Sequence, residues 1–428
     1  MRRNASSKIM SSCLDRESAA ALLWDESFLW GVMALKALQR AGLAFDLIRT
    51  DEIAQGHLDR YSLLFVPGGW SSNKMKVLGE RGVEAVRRFV HEGGNYLGFC
   101  GGAGLATLDG IGLLKIRRKP TRNRIPSFSG RINIKTSDHP AFNDIKTPVF
   151  HAWWPPQFTI EDNSTNIIAS YKAPMPDAFS ADLNIGDVEG RGGWADLESL
   201  YQINLDPIRL LDDPAVVEGS YGRGKVLLSL VHFDTLDDKD GSQVLRNIWQ
   251  YLGGQTELPS SSLEQERSST DLGSNSSVPA ISELESTVSG IIDLGIRNFL
   301  WFWRNSMLLQ WRRGVRGLEY CTLSVMVREI AARLGSRQAP ENAAIECDLK
   351  NINRQLVYFS ERAKRLLVLE RLAMQSGHIT YERCDNPEIQ KIREELFSSS
   401  KSYGGLFKEI IDRLDALLYM LIKEEQER

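Results

Sequence analysis

Short apolar runs alternate with longer mixed stretches through the first quarter of the chain. The runs predict buried strands, which lie at 19–25, 44–50, 61–67 and 95–100. The mixed stretches predict helices at 27–41, where Ser27 is placed to cap the first turn, and at 82–91. Apolar strands alternating with helices indicate a mostly parallel sheet with helices on both faces. The carboxyl ends of such strands meet at one edge of the sheet, where open α/β sheets bind ligands.

From about residue 110 the pattern becomes that of extended segments separated by turns. Strands are predicted at 131–136, 147–153, 166–171, 215–219 and 225–231. Residues 174–210 are interpreted as an irregular insertion, and 243–252 predict a closing helix. The segment 19–254 is therefore predicted to form one α/β domain.

A compositional break at 255–283 divides the chain. This segment is rich in serine, acidic and free of aromatic residues, so it cannot bury enough apolar surface to offset its ordering entropy, and it is predicted to be a flexible linker. Residues 284–428 contain three or four long stretches with helical periodicity, which predict an all-α helical bundle. Residues 1–18 lack the apolar core of a secretory signal and are predicted to be a disordered tail.

Composition narrows the classes of function. The chain has 428 residues, with 52 lysines and arginines against 55 aspartates and glutamates, giving a formal net charge of −3. This balance excludes a strongly basic nucleic-acid binder, so no nucleic-acid partner is expected. The five cysteines are scattered and form no Cys-x-x-Cys pair, which argues against a disulfide scaffold and a structural zinc site. A reducing, cytoplasmic setting is therefore expected, with neither metal nor cofactor.

The sharpest chemical feature is the segment Gly98–Gly102, which contains Cys100 between the end of a predicted strand and the start of a predicted helix. A nucleophile on such an elbow needs small neighbours, because the chain doubles back tightly and a substrate must approach closely. The start of a helix favours the reactive thiolate form of a cysteine. The backbone N–H of Gly101 would face a developing oxyanion. The alternative is that Cys100 is an inert buried thiol on a glycine-rich turn.

A cysteine nucleophile needs a base, and His232 is the best placed of the six histidines because it follows the predicted strand 225–231. Residues two apart in an extended chain point to the same side, so His232 and Asp234 can pair there. Asp234 would then fix the orientation and tautomer of the imidazole. The alternative is a surface histidine followed by an aspartate that caps a helix.

Three segments together resemble a known superfamily: FVPGGW at 65–70, RRFVHEGGNYLGFCGGAGLA at 87–106 and VVEGSYGRGKVLLSLVHFD at 216–234. Over about 19–254 the chain resembles the class I glutamine amidotransferase-like superfamily and, within it, the biotin–protein ligase N-terminal domain family. The resemblance implies a flavodoxin-like sheet, Cys100 as nucleophile and His232 as base, with oxyanion amides from Gly69 and Gly101. Asp234 stands where the superfamily has glutamate, one methylene longer, and this departure puts turnover in question.

The resemblance is not expected to make this chain a biotin ligase, because no GRGRxG-type biotin-adenylate signature occurs in the sequence, and no synthetase domain to receive ammonia is expected. One hypothesis is therefore a cysteine hydrolase or amidotransferase-like domain that acts on a small amide or ester. The other hypothesis is a non-catalytic small-molecule-binding or regulatory module. In both cases a small molecule is the expected ligand, and the substrate and the oligomeric state are left open.

Aromatic residues near the predicted site suggest its walls. Trp70 follows the PGG turn, and His151 and Trp153 end a predicted strand, so all three are candidates for substrate binding, although aromatic residues at strand ends more often serve packing. In 296–316 tryptophans interleave with arginines, which indicates either an ordinary bundle helix or a helix that docks on a membrane surface, a protein or single-stranded nucleic acid, the bundle helix being favoured. Any protein partner or membrane surface is thus expected to bind through 284–428.

Overall fold

The described part of the chain covers nearly all of the predicted domains. The computed structural model describes residues 20–190, 192–255, 279–335, 343–377, 379–380, 384–399 and 402–427. The tail predicted at 1–18 lies outside the described residues, as do 256–278 of the predicted linker. Pro279, inside the segment predicted as linker, already begins a helix.

Strands dominate the first part of the chain and helices the second. The strands are β1 (Ala20–Leu23), β2 (Phe45–Ile48), β3 (Leu63–Val66), β4 (Asn95–Phe99), β5 (Ile116–Arg118), β6 (Phe128–Thr136), β7 (Val149–Trp153), β8 (Phe158–Ile160), β9 (Asn166–Pro174), β10 (Phe179–Ser180), β11 (Leu183–Asn184), β12 (Pro214–Tyr221), β13 (Gly224–Ser229), β14 (Trp301–Trp303) and β15 (Leu309–Trp311). The helices are α1 (Phe28–Arg40), α2 (Thr50–Ala54), α3 (Ser71–His91), α4 (Gly101–Leu105), α5 (Ile185–Glu189), α6 (Trp194–Tyr201), α7 (Lys239–Tyr251), α8 (Pro279–Arg297), α9 (Gly317–Gly335), α10 (Ala343–Ser376), α11 (Pro387–Phe397) and α12 (Gly405–Gln426).

Within the described residues, the main sheet has eleven strands in the order β11–β10–β6–β9–β12–β13–β4–β3–β1–β2, with β7 paired to β6. The block β13–β4–β3–β1–β2 is parallel. Antiparallel pairing from β12 onward extends this block, and it contains the extended segments predicted after about residue 110. The α/β fold class followed by a helical C-terminal region is confirmed.

The parallel strands form because their residues are apolar on both faces. Every residue of β1 and β3 is buried, as expected for strands covered on both sides by other elements. Helix α3 begins at Ser71 rather than at 82, and it contains a break at Gly79, where φ is +58°. The region 174–210, predicted to be irregular, holds the short elements β10, β11, α5 and α6.

Helix α1 is buried on almost every side and is not the half-exposed helix that was predicted. Its outer face is covered by α9 of the C-terminal region, to which it is joined by an ion pair of 2.8 Å between Lys36 and Glu329. Ser27 does not cap the helix. Its hydroxyl instead donates a hydrogen bond of 3.0 Å to the carbonyl of Leu23, since the residues around it turn directly out of β1.

The prediction of a helix over 296–316 is wrong, because β14 and β15 form an antiparallel hairpin there. Trp301 folds back on α8, where its indole N–H donates to the carbonyl of Ile292 at 3.0 Å and its ring fills the space that a side chain at Gly295 would need. The side chain of Asn305 accepts hydrogen bonds from two backbone amides of the turn. Aromatic residues favour strands when they pack on a surface in this way.

The C-terminal region also contacts the first domain at the β1–β2 edge of the sheet. Lys408 forms an ion pair of 2.9 Å with Glu26, and the hydroxyl of Tyr419 donates to Glu52 at 3.0 Å. Among the helices of the described ranges, none is both long and apolar enough to span a bilayer.

Candidate active site

Cys100 occupies a strained elbow between β4 and α4. Its φ of +47° lies in a region that residues with a side chain rarely adopt. Its backbone N–H donates to the carbonyl of Ser229 at 2.8 Å, and its own carbonyl accepts from Gly104 at the same distance. The two bonds hold the elbow against β13 and α4, which places the side chain at the carboxyl edge of the parallel strands.

Small residues are required around this elbow. A Cβ on Gly101 would overlap the carbonyl oxygen of Gly69, and one on Gly102 would overlap the carbonyl of Val66. The two glycines predicted to supply oxyanion amides therefore pack backbone against backbone. Gly69 has a φ of +111°, and Gly101 is the first residue of its helix, so its N–H has no acceptor within that helix.

We expect Gly101→Ala to destabilise the protein by about 3 kcal/mol or more, since the neighbour that must move is backbone rather than a flexible side chain. Gly104→Ala is the matched control, because its Cβ would meet nothing closer than 3.5 Å. That change should be neutral or slightly stabilising, as alanine favours the helix. Urea unfolding of both variants measures the difference, and equal losses would contradict this account of the elbow.

His232 follows β13 and is fully buried together with Asp234. Its Nδ1 lies 2.9 Å from Oδ1 of Asp234, and its backbone N–H donates to the carbonyl of His151 at 2.7 Å. The other ring nitrogen, Nε2, is buried without a partner in hydrogen-bonding geometry. The structure thus brings His232 and Asp234 into the pair that the sequence predicted.

The side chain of Cys100 lies close enough to His232 to affect the pKa of the imidazole. Burial alone would lower the pKa of His232, but the charge and hydrogen bond of Asp234, together with the Cys100 side chain, outweigh it and raise the pKa to about 10. The imidazole therefore carries its proton at neutral pH. The three residues predicted to form a triad lie together at one edge of the sheet.

Aromatic rings enclose the histidine. The ring of Trp30, on α1, stacks on His232 with centroids 4.8 Å apart, and Trp154 meets Trp30 edge to face at 6.3 Å. Trp311, on the C-terminal hairpin, stacks on Trp154 at 4.8 Å. The C-terminal region therefore packs against the aromatic residues that surround the site.

The three residues predicted to bind substrate, Trp70, His151 and Trp153, differ in their contacts with Cys100. The carbonyl of Trp153 lies 3.8 Å from the sulfur of Cys100, and the indole N–H of Trp153 donates to Thr235 at 3.0 Å. His151 lies behind it, since its ring stacks on Trp153 and its Nδ1 lies 3.2 Å from Asp238. Trp70 precedes α3 and accepts from the first turn of that helix through its carbonyl; within the described ranges its ring stacks on no other aromatic ring.

The geometry includes residues that the sequence analysis missed. Trp30 carried only the signature of a core helix, and Trp311 was assigned to a helix of the C-terminal region. Tyr171, buried on β9, and Arg124, before β6, both lie close enough to Cys100 to interact with it electrostatically. A local pattern holds no signal for any of the four, because their roles depend on which distant segments pack together.

A metal is not indicated by the side chains. Among the residues that the structure describes, no three histidines, cysteines, aspartates or glutamates cluster closely enough to hold a metal ion.

Comparison with known families adds one finding. Residues 33–109 match the sequence model of a family described as biotin-protein ligase, N terminal. This stretch carries that family's pattern. It contains the PGG turn and Cys100, two of the features on which the resemblance to the family rested, and the resemblance is confirmed there. No curated protein matches the chain.

Solved structures show distant similarity. PurLQS from Thermotoga maritima shares 17% identity over 55% of this chain and 99% of its own, with a TM-score of 0.39. A protein described as one component of a GMP synthase, from Thermoplasma acidophilum, shares 11% over 55% of this chain and 94% of its own, with a TM-score of 0.36. A β-galactosidase from Bacillus circulans sp. alkalophilus shares 14% over 57% of this chain and 32% of its own, also with a TM-score of 0.36. Identities and scores this low carry no argument about function.

Proposed function

We propose that the domain at 20–255 is a cysteine-dependent hydrolase or amidotransferase-like enzyme for a small amide or ester. The observation that carries the proposal is the strained elbow of Cys100 beside a buried pair formed by His232 and Asp234. A thiol next to a protonated imidazole favours the thiolate, which is the nucleophilic form.

The reaction would proceed in two steps. The thiolate of Cys100 attacks the carbonyl carbon, the bond to the leaving group breaks, and the imidazolium of His232 gives the leaving group its proton. The result is a thioester and a neutral imidazole. The imidazole then takes a proton from water, the hydroxyl adds to the thioester carbonyl, and the thiolate departs as the acid is released. The amides of Gly69 and Gly101 would stabilise the oxyanion in both steps.

The shorter carboxylate of Asp234 is compatible with this role. Its Oδ1 is at hydrogen-bonding distance from Nδ1 of His232, so the missing methylene is compensated by the tight turn in which the N–H of Thr235 donates to the carbonyl of His232. Asp234 would hold the tautomer in which Nε2 is directed to chemistry.

A second candidate function is a non-catalytic binding or regulatory module. It is favoured by the enclosure of the site, since Cys100 is only 9% exposed and His232 is not exposed at all. Docking of 284–428 to a protein or a membrane surface stays a prediction, and it belongs with this second candidate function. The exposed rings of Phe299 and Phe302, 73% and 50% accessible, are the apolar groups that such a surface would meet.

Alkylation tests the catalytic proposal directly. We expect iodoacetamide at pH 7 to modify Cys100 at least about tenfold faster than Cys347, because a neighbouring imidazolium favours the thiolate. Cys347 is exposed, lies outside the candidate site and serves as the reference cysteine within the same molecule. Peptide mass spectrometry gives both rates. Reaction of Cys100 no faster than Cys347 would favour the binding module.

A further inference from the structure

Gly69 lies between the Cys100 elbow and the loop that follows β1, residues 25–28, which we call the β1 loop. On one side, the carbonyl oxygen of Gly69 occupies the space that a Cβ on Gly101 would need. On the other side, the carbonyl oxygen of Glu26 lies 2.6 Å from the position that a Cβ on Gly69 would take. The backbone of Gly69 therefore packs on both neighbours, and its position depends on where the β1 loop is held.

The β1 loop is strained. Glu26 and Phe28 have φ of +55° and +45°, a region that residues with a side chain rarely adopt. Backbone in such a conformation persists only where the surrounding structure holds it in place. The contacts made to this loop thus decide where the carbonyl of Glu26 lies against Gly69.

One set of contacts to the β1 loop comes from the first turn of α3. Lys74 is fully buried, and its Nζ donates to the carbonyl of Asp25 at 3.3 Å and to the hydroxyl of Ser27. The side-chain amide of Asn73 donates to Oε2 of Glu26 at 3.1 Å. Because this turn of α3 directly follows the PGG turn, the loop and the PGG turn share one support.

The other set of contacts comes from the C-terminal region. Nζ of Lys408, on α12, lies 2.9 Å from Oε1 of Glu26 and 5.6 Å from the centre of the Phe28 ring. Tyr403, shortly before α12, meets the same ring edge to face at 5.5 Å. Asp412, one turn further along α12, accepts from the same ammonium group at 2.7 Å. Both strained residues of the β1 loop are thus contacted by a segment that lies far along the chain.

The ion pair between Lys408 and Glu26 is shielded from water, since the two side chains are only 25% and 9% exposed. Exposed ion pairs contribute little to stability, but removing one member of a buried pair leaves the other charge uncompensated. Without Lys408, the carboxylate of Glu26 would therefore favour a more exposed position, and the strained loop would relax away from Gly69.

We propose that Lys408, through Glu26, positions the amide of Gly69, so that the oxyanion site of the first domain is complete only when α12 is docked. Lys408 and Glu26 are positioning residues, because they act through Gly69 and not on the reacting atoms. This inference rests on the proposed function, in which Gly69 stabilises the oxyanion, and it makes the C-terminal region a regulator of that reaction.

Two reactions of Cys100 separate this role from a general effect on the site. Iodoacetamide is alkylated onto the sulfur by displacement of iodide at a saturated carbon, which forms no oxyanion, whereas hydrolysis of p-nitrophenyl acetate forms one in each step. In Lys408→Met we expect kcat for the ester to fall about tenfold, a part of the loss that removal of one oxyanion donor causes. The KM and the rate of alkylation of Cys100 should not change.

Two further variants serve as controls for this measurement. Lys408→Arg keeps the charge beside Glu26 and should retain most of the activity. Arg413→Met removes a positive charge from an exposed position on the same helix and should retain all of it. Equal falls in Lys408→Met and Arg413→Met would overturn the proposal, as would a fall in the alkylation rate that matches the fall in kcat.

Glu26→Gln tests the route of the effect. The glutamine side chain can still accept from Asn73 through its oxygen, but it carries no charge for Lys408. We expect the loss of kcat to match that of Lys408→Met, and the double variant to lose no more than either single variant. Additive losses would show that Lys408 acts by another route and would refute the role of Glu26.

A measurement without substrate keeps this inference distinct from the proposed function. In Lys408→Met, peptides covering 66–74 should exchange their amide hydrogens severalfold faster than in the wild type, whereas Lys408→Arg should match the wild type. If the wild type does not hydrolyse the ester but the exchange responds in this way, the catalytic proposal fails and the positioning of Gly69 by Lys408 stands. If the exchange over 66–74 is unchanged in Lys408→Met, the positioning is refuted whether or not the ester is hydrolysed.

Discussion

Cys100→Ala is expected to reduce hydrolysis of p-nitrophenyl acetate to the rate of the reaction without protein. The ester is activated, so its turnover requires a nucleophile but little substrate recognition. Removing the nucleophile of such a unit costs about a thousandfold or more. Cys347→Ala is the matched control because Cys347 is exposed and lies on α10, outside the candidate site, and it should retain full activity.

A second variant, Asp234→Asn, tests whether the activity also depends on the charge beside His232. The amide keeps the size of the carboxylate but removes the charge that holds the proton on His232, so activity should fall about a hundredfold or more. Circular dichroism of each variant is the control for loss of the fold. A wild type that hydrolyses the ester no faster than Cys100→Ala would remove the catalytic proposal and leave the binding module.

The second large effect is a change in the free energy of unfolding with pH. His232 has its pKa raised to about 10 from 6.5, so its protonation stabilises the fold fully below pH 6.5, and this contribution is lost as pH rises toward 10. Lys74, fully buried beside Ser27, has its pKa lowered by burial to about 7 from 10.5. Its protonation opposes folding below pH 7, and that penalty disappears as pH rises toward 10.5. The two contributions change in opposite directions over the same range of pH.

Variants should separate the two contributions. Lys74→Met should stabilise the protein most near pH 6.5, with the gain shrinking by several kcal/mol as pH approaches 10. Asp234→Asn should destabilise it most near pH 6.5, with the loss shrinking over the same range. Lys76→Met, two residues along the same helix and exposed, should show neither trend. Urea unfolding at pH 6.5, 8 and 9.5 measures all three. A constant difference between Lys74→Met and the wild type would show that Lys74 is not desolvated.

The parallel half of the sheet could be predicted because its strands are apolar on both faces and are separated by helices. The neighbourhood of Cys100 and His232 could be predicted for a related reason, since each follows a strand of one parallel block and the ends of such strands share an edge. The interaction of His232 with Asp234 followed from their spacing alone.

The rest depended on contacts between distant segments. The hairpin β14–β15 looked helical because its aromatic and basic residues also fit a helix, and only packing against α8 decides between the two. The burial of α1 on both sides depends on α9, which begins far beyond the first domain. The unpaired hydroxyl of Tyr171 leaves no local mark in the sequence, because an unpartnered polar group is recognisable only once its surroundings are known.

The near-complete burial of α1 has a consequence for how the chain folds. One side of this helix is covered by α9, and the ring of Trp30, which it places over His232, packs on Trp154, which in turn stacks on Trp311. Loss of the C-terminal region would expose a broad apolar surface on the first domain. It would also leave His232 without the support of these stacked rings. We therefore expect the two regions to unfold together as one cooperative unit, with the serine-rich stretch joining its two parts.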